Sequence, residues 1–326
     1  MEQKALQIGA TVLALVFLLR LGTSTDIGRR ELARTLVLFS TGRMLTEPIS
    51  PSEEPLITPT TAPAAETAPV ATQPEPEAIP VFGADQAQVV EVDASWNVDT
   101  LGLLRKPLSW NLKSEKPTVL ILHTHGTESY EKEPGYQETS AYRTLDKDYN
   151  LVSIGDQVAE ILEAGGIRVI HDRSLHDYPS YNDAYRNARN AIKTQLSENP
   201  SICLVLDLHR DAAEDSKGRQ RRTAVQVNGE STAKLMLVMG SDKGSLSYPN
   251  WEKNLALAVK LQAQLESTYP GLCRPVQLGR KRYNQDLCTG ALLVEVGTAG
   301  NTHAEAMNAA KYLAEGILAL AKGANI

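Results

Sequence analysis

Three apolar runs in this chain each end on side chains that bind metals or carry protons. Val119-Leu120-Ile121-Leu122 leads into His123-Thr124-His125-Gly126-Thr127-Glu128. Leu204-Val205-Leu206-Asp207-Leu208 leads into His209-Arg210-Asp211, and Ala291-Leu292-Leu293-Val294 reaches Glu295-Val296-Gly297. Such near-continuous apolar runs are the pattern of strands buried on both faces, as in parallel sheets. In open α/β sheets ligands bind at the carboxyl edge, so three runs that deliver His or Glu near their ends predict one site there. Imidazole and carboxylate are zinc ligands, and a catalytic zinc keeps one position for water.

The 326 residues divide by composition. Before about Ala94 no stretch can build a core, whereas the remainder is long enough to bury a large one. A net charge of −6 gives a nucleic-acid partner no electrostatic support. The three cysteines, Cys203, Cys273 and Cys288, show no CxxC or CxH spacing. Cys203 reads as a small core residue, and a Cys273–Cys288 pair is open only if the domain faces an oxidising medium.

Ala5 to Leu19 is apolar apart from Gln7 and lies between Lys4 and Arg20. It is slightly shorter than the roughly 20 residues that span a bilayer comfortably, and no clean small-x-small cleavage site follows. The expectation is an uncleaved membrane anchor over residues 1–26, with a cleaved signal peptide as the alternative. Arg20, Arg29, Arg30 and Arg34 outnumber Lys4, which counts against an N-terminus inside. Ile27 to Leu45 has the pattern of a short basic amphipathic helix. Glu47 to Ala84, dense in Pro, Thr, Ala and Glu, cannot offset its ordering entropy by apolar burial and reads as an extended linker. Residues 27–94 are thus a juxtamembrane segment and linker, and 95–326 the folded domain, placed outside the cytoplasm on a single-pass anchor.

From about Val89 the pattern turns globular. Val119–His123, Ile167–His171, Ile202–Leu208 and Leu292–Val296 read as strands, and Thr223–Val227 and Lys234–Met239 as a further pair. Asp148–Ala164, ended by Gly165-Gly166, carries apolar residues at helix spacing, as do Tyr181–Glu198, Asn250–Tyr269 and the Ala-rich His303–Lys322. Strands alternating with such helices predict an α/β fold with a mostly parallel central sheet flanked by helices.

A hydrolytic zinc site needs about three protein ligands, an open position, and an acid or base that is not itself a ligand. His125 and His209 with a carboxylate from Glu128 or Asp146 would supply the ligands. Glu295 would take the proton of the attacking water and pass it to the leaving amine, and Arg210 would steady the oxyanion. Each has a plainer reading. A lone His at a strand end is commonly a hydrogen-bonded structural residue, Glu128 begins a loop, and Asp146 caps the following helix. Glu295 resists such a reading, because an ionised carboxylate inside Leu-Leu-Val-Glu-Val is costly unless paired or beside a metal. Arg219-Gln220-Arg221-Arg222 reads as a solvated turn or a contact to an anionic polymer, and Asn284-Gln285-Asp286 as a polar cleft lining. Gly240-Ser241-Asp242-Lys243-Gly244 lacks phosphate-loop spacing, and no G-x-S-x-G elbow is present.

Five motifs, in order, resemble the stage II sporulation protein P family. They are His-Thr-His-Gly-Thr-Glu-Ser-Tyr at 123–130, Asp-Leu-His-Arg-Asp-Ala at 207–212, Asn-Trp-Glu-Lys-Asn-Leu-Ala at 250–256, Tyr-Asn-Gln-Asp-Leu at 283–287 and Val-Glu-Val-Gly-Thr-Ala-Gly-Asn-Thr at 294–302. The resemblance covers about residues 95–322. It implies a zinc amidase-like fold and a zinc-dependent N-acetylmuramoyl-L-alanine amidase acting on peptidoglycan, cutting between the lactyl group of muramic acid and the first alanine of the stem peptide. Endopeptidase cleavage of the peptide cross-links is implied as a second reaction. The implied partners are a lytic transglycosylase, stage II sporulation protein D, and a membrane protein of the engulfment machinery, stage II sporulation protein M. Residue by residue, His125 matches the first His ligand, His209 the second, and Glu295 the late catalytic Glu. The related amidases place their ligand Glu just before an Asn-Leu that opens a helix; here Asp146-Lys147-Asp148-Tyr149-Asn150-Leu151 holds that place with Asp. The resemblance therefore favours Glu128 over Asp146. The alternative function is a catalytically idle peptidoglycan-binding domain or an activator of a partner wall hydrolase, against which no ligand or acid/base is missing.

Overall fold

A computed structural model describes residues 86–323 apart from 109 and 136, so the expected anchor and nearly all of the linker lie outside the described residues. The strands are β1 Val89–Glu91, β2 Val119–Leu122, β3 Val169–His171, β4 Leu204–Asp211, β5 Ala224–Val227, β6 Glu230–Ala233, β7 Leu235–Met239, β8 Val276–Leu278 and β9 Ala291–Thr298. The helices are α1 Thr100–Arg105, α2 Leu151–Ala164, α3 Ala184–Glu198, α4 Trp251–Thr268 and α5 His303–Gly323. Among the described residues no helix is long and apolar enough to cross a membrane.

The central sheet runs β1-β8-β7-β9-β4-β2-β3. It is mostly parallel, as the alternation of strands and helices predicts, but β7 pairs with β9 antiparallel. Two parallel blocks running in opposite directions therefore meet at that pair. The three apolar runs form adjacent strands in the order β9-β4-β2.

Alternation along each strand decides which side chains share a face. Ile121, Leu206, Leu208, Val294 and Val296 belong to the large core formed with α2, α4 and α5. Leu120, Leu122, Val205 and Ala291 face the other way, against Ala188 and Ile192 of α3. Asp207, His209 and Glu295 continue that second face toward the strand ends. His123 continues the first, where Gly155 of α2 leaves it room: a Cβ there would lie 2.7 Å from His123 Nε2.

Several boundaries differ from the sequence reading. The domain does not start at residue 95, because β1 at Val89–Glu91 is hydrogen-bonded into the sheet beside β8. The run at Lys234–Met239 is not the hairpin partner of Thr223–Val227. That partner is β6, joined to β5 through Asn228-Gly229, both at positive φ, the residue pair that a two-residue hairpin turn demands. β7 enters the central sheet instead. Helix α2 is capped by Asn150, whose side chain accepts from Val152 N–H, and not by Asp146. Cys203, Cys273 and Cys288 are all free thiols.

Candidate active site

β4 and β9 pair in register with His209 opposite Glu295. Just beyond, the register shifts: His209 to Asp211 on β4 spans Glu295 to Thr298 on β9. The extra residue makes a bulge in β9, and Gly297 takes φ +72° there. A bulge bends its strand and re-aims side chains, and a left-handed residue within it favours glycine. Any Cβ at Gly297 would also stand 2.8 Å from Ala233 Cβ. β2 ends at Leu122, and the chain turns over the strand ends so that His125 and Glu128 reach the same place.

The geometry brings together four of the six candidates. The His125 and His209 rings lie 5.5 Å apart, edge to face. His209 Nδ1 is 3.7 Å from Glu128 Oε2, while its Nε2 makes an ion-pair contact of 3.0 Å with Asp207 Oδ1. His125 Nδ1, His209 Nε2 and Glu295 Oε2 are buried with no hydrogen-bond partner. Burial pushes the Glu295 carboxyl up, with Glu128 adding to the rise against the opposing His209 charge, to about 8. Burial also drives His209 down, but the close charge of Asp207, with Glu128 and Glu295, outweighs it and raises the imidazole to about 9. His125 is lowered, chiefly by burial.

Asp146 is not part of this cluster. It is exposed in a turn, where its carboxylate accepts from Asp148 N–H. Arg210 also has a different role from the expected one. Its Nε donates to Ser129 O and its second amino group to Tyr142 O, and its backbone N–H donates to Glu128 Oε2 at 3.3 Å. Two of its donors thus tie down the Glu128 loop, while its other amino group stands 3.9 Å from Glu128 Oε1. In the polar triplet at 284–286, Asn284 and Asp286 hold Arg189, and Gln285 bonds Gly240 N–H and Val238 O. Within the basic cluster, Arg219 pairs with Asp215 and Arg222 with Glu305.

Other members of the site carry no periodic signal in the sequence. Asp177, from the loop after β3, is buried and accepts from Thr127 and Arg143. Arg143 also donates to Glu128 Oε1 at 3.2 Å. Tyr181 stacks on His125 with ring centroids 4.5 Å apart and planes 14° from parallel, and Tyr185 meets the same imidazole edge-on at 5.5 Å. Tyr185 lies in the first turn of α3, which faces the site, while Ala188 and Ile192 farther along the helix pack against the sheet.

The donor set suits a small cation bound through nitrogen and oxygen. Two donors on a tetrahedral zinc at ~2.0–2.1 Å stand about 3.3 Å apart, close to the 3.7 Å between His209 Nδ1 and Glu128 Oε2. As the side chains stand, no three His, Cys, Asp or Glu among the described residues are drawn in far enough to grip an ion. The buried nitrogen of His125, 4.0 Å from Asp177 Oδ2 and without a hydrogen bond, and the oxygen of Glu295 are the groups that a cation and its water would satisfy.

A family model described as stage II sporulation protein P matches residues 53–318. The stage II sporulation protein P of Bacillus subtilis (strain 168) is 30% identical over 213 residues, 62% of this chain and 50% of that protein. The chain thus spans about half the length of the curated relative it matches. Among solved structures, an N-acetylmuramoyl-L-alanine amidase from Clostridium difficile 630 overlaps 63% of this chain and 95% of its own at 18% identity and a TM-score of 0.34. The apo form of an N-acetylmuramyl-L-alanine amidase from Mycobacterium abscessus overlaps 62% and 96% at 12% identity and a TM-score of 0.36. At such TM-scores no residue role is carried across.

Proposed function

The chain belongs to the stage II sporulation protein P family, and on that premise we propose that it is a zinc-dependent peptidoglycan hydrolase. Its reaction is hydrolysis of the amide between muramic acid and the first alanine of the stem peptide, with cleavage of peptide cross-links as a second activity. The observation that carries the reading is the convergence of His125, Glu128 and His209 beside Glu295, whose buried Oε2 has no partner.

In this reading His125, Glu128 and His209 hold the zinc, which when bound supplies a polarised water and a charge for the developing oxyanion. Glu295 takes the proton of the attacking water on its carboxylate and delivers it to the leaving nitrogen. With its pKa raised to about 8, it is mostly protonated at neutral pH until a nearby cation draws it down into the acceptor form. Tyr181, 55% exposed, stacked on His125 and with the Arg143 guanidinium 4.8 Å over its ring, borders the site at the place where a sugar or stem peptide would lie. The residues before 86 would tether this domain outside the cytoplasm, where the wall lies. A lytic transglycosylase and a membrane protein of the engulfment machinery are the proposed partners.

The test is product analysis of purified peptidoglycan treated with the full chain, with and without a chelator. Free lactyl-terminated glycan and stem peptides starting at L-alanine are expected, and their release should stop on chelation and return with zinc. Binding to the wall with no new termini would instead favour the idle-domain alternative.

A further inference from the structure

Two threonines of the His123–Glu128 segment make the same pair of bonds. Thr124 donates its backbone N–H to Asp207 Oδ1 at 2.8 Å and its hydroxyl to Asp207 Oδ2 at 2.6 Å. Thr127 donates its N–H to Asp177 Oδ1 at 3.2 Å and its hydroxyl to Asp177 Oδ2 at 2.5 Å. Both threonines and both aspartates are buried, so each carboxylate is locked in two dimensions by one residue. Neither aspartate stops there. Asp207 Oδ1 stands 3.0 Å from His209 Nε2, a charge contact short of hydrogen-bond alignment as the ring stands, leaving Nδ1 to face Glu128. Asp177 Oδ2 accepts from Arg143 at 2.8 Å, and the other amino group of Arg143 donates to Glu128 Oε1 at 3.2 Å.

We propose that Thr124 and Thr127 are positioning residues: Thr124 fixes Asp207, which sets the ring orientation of His209, and Thr127 fixes Asp177, which sets the Glu128 carboxylate through Arg143. In calling His209 and Glu128 ligands this rests on the zinc reading above, although the bonds themselves do not require a metal. The arrangement accounts for the alternation in His-Thr-His-Gly-Thr-Glu. Histidine and glutamate supply donors, and the threonines between them carry the acids that orient donors on β4 and in the loop. A carboxylate behind a ligating imidazole fixes its tautomer and rotation, and loss of such a partner typically costs ~10–100-fold in metal affinity.

The experiment uses the full chain with Thr124→Val, Thr124→Ser, Thr127→Val, Thr127→Ser and Asp207→Asn. Valine keeps the shape and removes the hydroxyl; serine keeps the hydroxyl. Two readouts are taken. In metal-free protein, NMR of 15N-histidine-labelled chain should show a protected downfield Nε2–H proton for His209, assigned with His209→Gln. That signal should vanish in Thr124→Val and Asp207→Asn, return in Thr124→Ser, and persist in Thr127→Val. With zinc alone, both valine variants should bind ~10–100-fold more weakly, and both serine variants within ~3-fold of the parent. Persistence of the His209 signal in Asp207→Asn, or serine variants no better than valine, would overturn the proposal. A parent chain that shows the His209 signal yet binds no zinc would sink the enzyme reading while leaving the Thr124 arm standing. Asp207→Asn decides that arm if Thr124→Val fails to fold.

Discussion

Glu295 stands out at the scale of single residues because it breaks its own strand's pattern, an acid within an otherwise apolar run on β9. That anomaly was legible in the sequence, and the structure adds the bulge that aims it. Replacing Glu295 with Gln keeps volume and removes proton transfer. Glu295→Gln should retain zinc and lose at least ~100-fold in turnover; near-normal turnover would end its acid/base role, and loss of zinc would make it a ligand. Gly297 makes a second case. Its left-handed φ and the 2.8 Å approach to Ala233 predict that Gly297→Ala destabilises by about 1–3 kcal/mol, read as a lower denaturant midpoint at unchanged slope. Asp177, Arg143 and Tyr181 escaped the sequence reading for a physical reason. They sit in loops or at a helix start, where no 2- or 3.6-residue period marks which way a side chain points. Arg210 gave a partial signal: its guanidinium reaches Glu128 at 3.9 Å, but its bonds to Ser129 O and Tyr142 O join residues that no sequence period connects to it.

At the scale of elements, the buried strands and long helices were legible because their apolar periods are strong, and the short edge pieces were not. β1 and β8, three residues each, are too short to show a period. The β5–β6 hairpin was mispaired although Asn228-Gly229 signals its turn. A further signal lies at the start of α5. Thr302 and Glu305 form a capping box: Glu305 N–H donates to Thr302 Oγ1, and Thr302 N–H to Glu305 Oε2. Glu305 is also bonded by Arg222, Ser231 and Asn301. Burial alone would raise its carboxyl, but these partners bring it down to about 2 from an ordinary 4.5. A depressed carboxylate stabilises the fold above its unfolded pKa and loses that contribution as pH falls through the folded one. The stabilisation is therefore complete above about pH 4.5 and fades toward pH 2. With Arg222 half exposed, screening limits it to about 2 kcal/mol. Glu305→Gln should cost that amount at pH 7 and approach the parent near pH 2, checked by urea unfolding across pH.

Across the whole molecule, the sheet separates stability from chemistry by its two faces. Leu206, Leu208, Val294 and Val296 pack with α2, α4 and α5 into the main core, while Asp207, His209 and Glu295 lie on the opposite face at the strand ends. No donor of the site is needed to close that core, unlike a small domain whose metal supplies its folding energy. Chelation is therefore expected to end wall cleavage while leaving the secondary structure intact. Metal bound only to the folded state still adds stability as RT ln(1 + [L]/Kd), about 2.7 kcal/mol at a hundredfold excess over Kd. For a domain of this size, that predicts a thermal midpoint several degrees higher with zinc than without, rising with zinc concentration. Calorimetry of the full chain over a zinc series measures it. A midpoint independent of zinc would place the ion outside the folded site. Wholesale unfolding on chelation would instead make the metal a structural ion, and its donors could then not be the open catalytic set proposed for His125, Glu128 and His209.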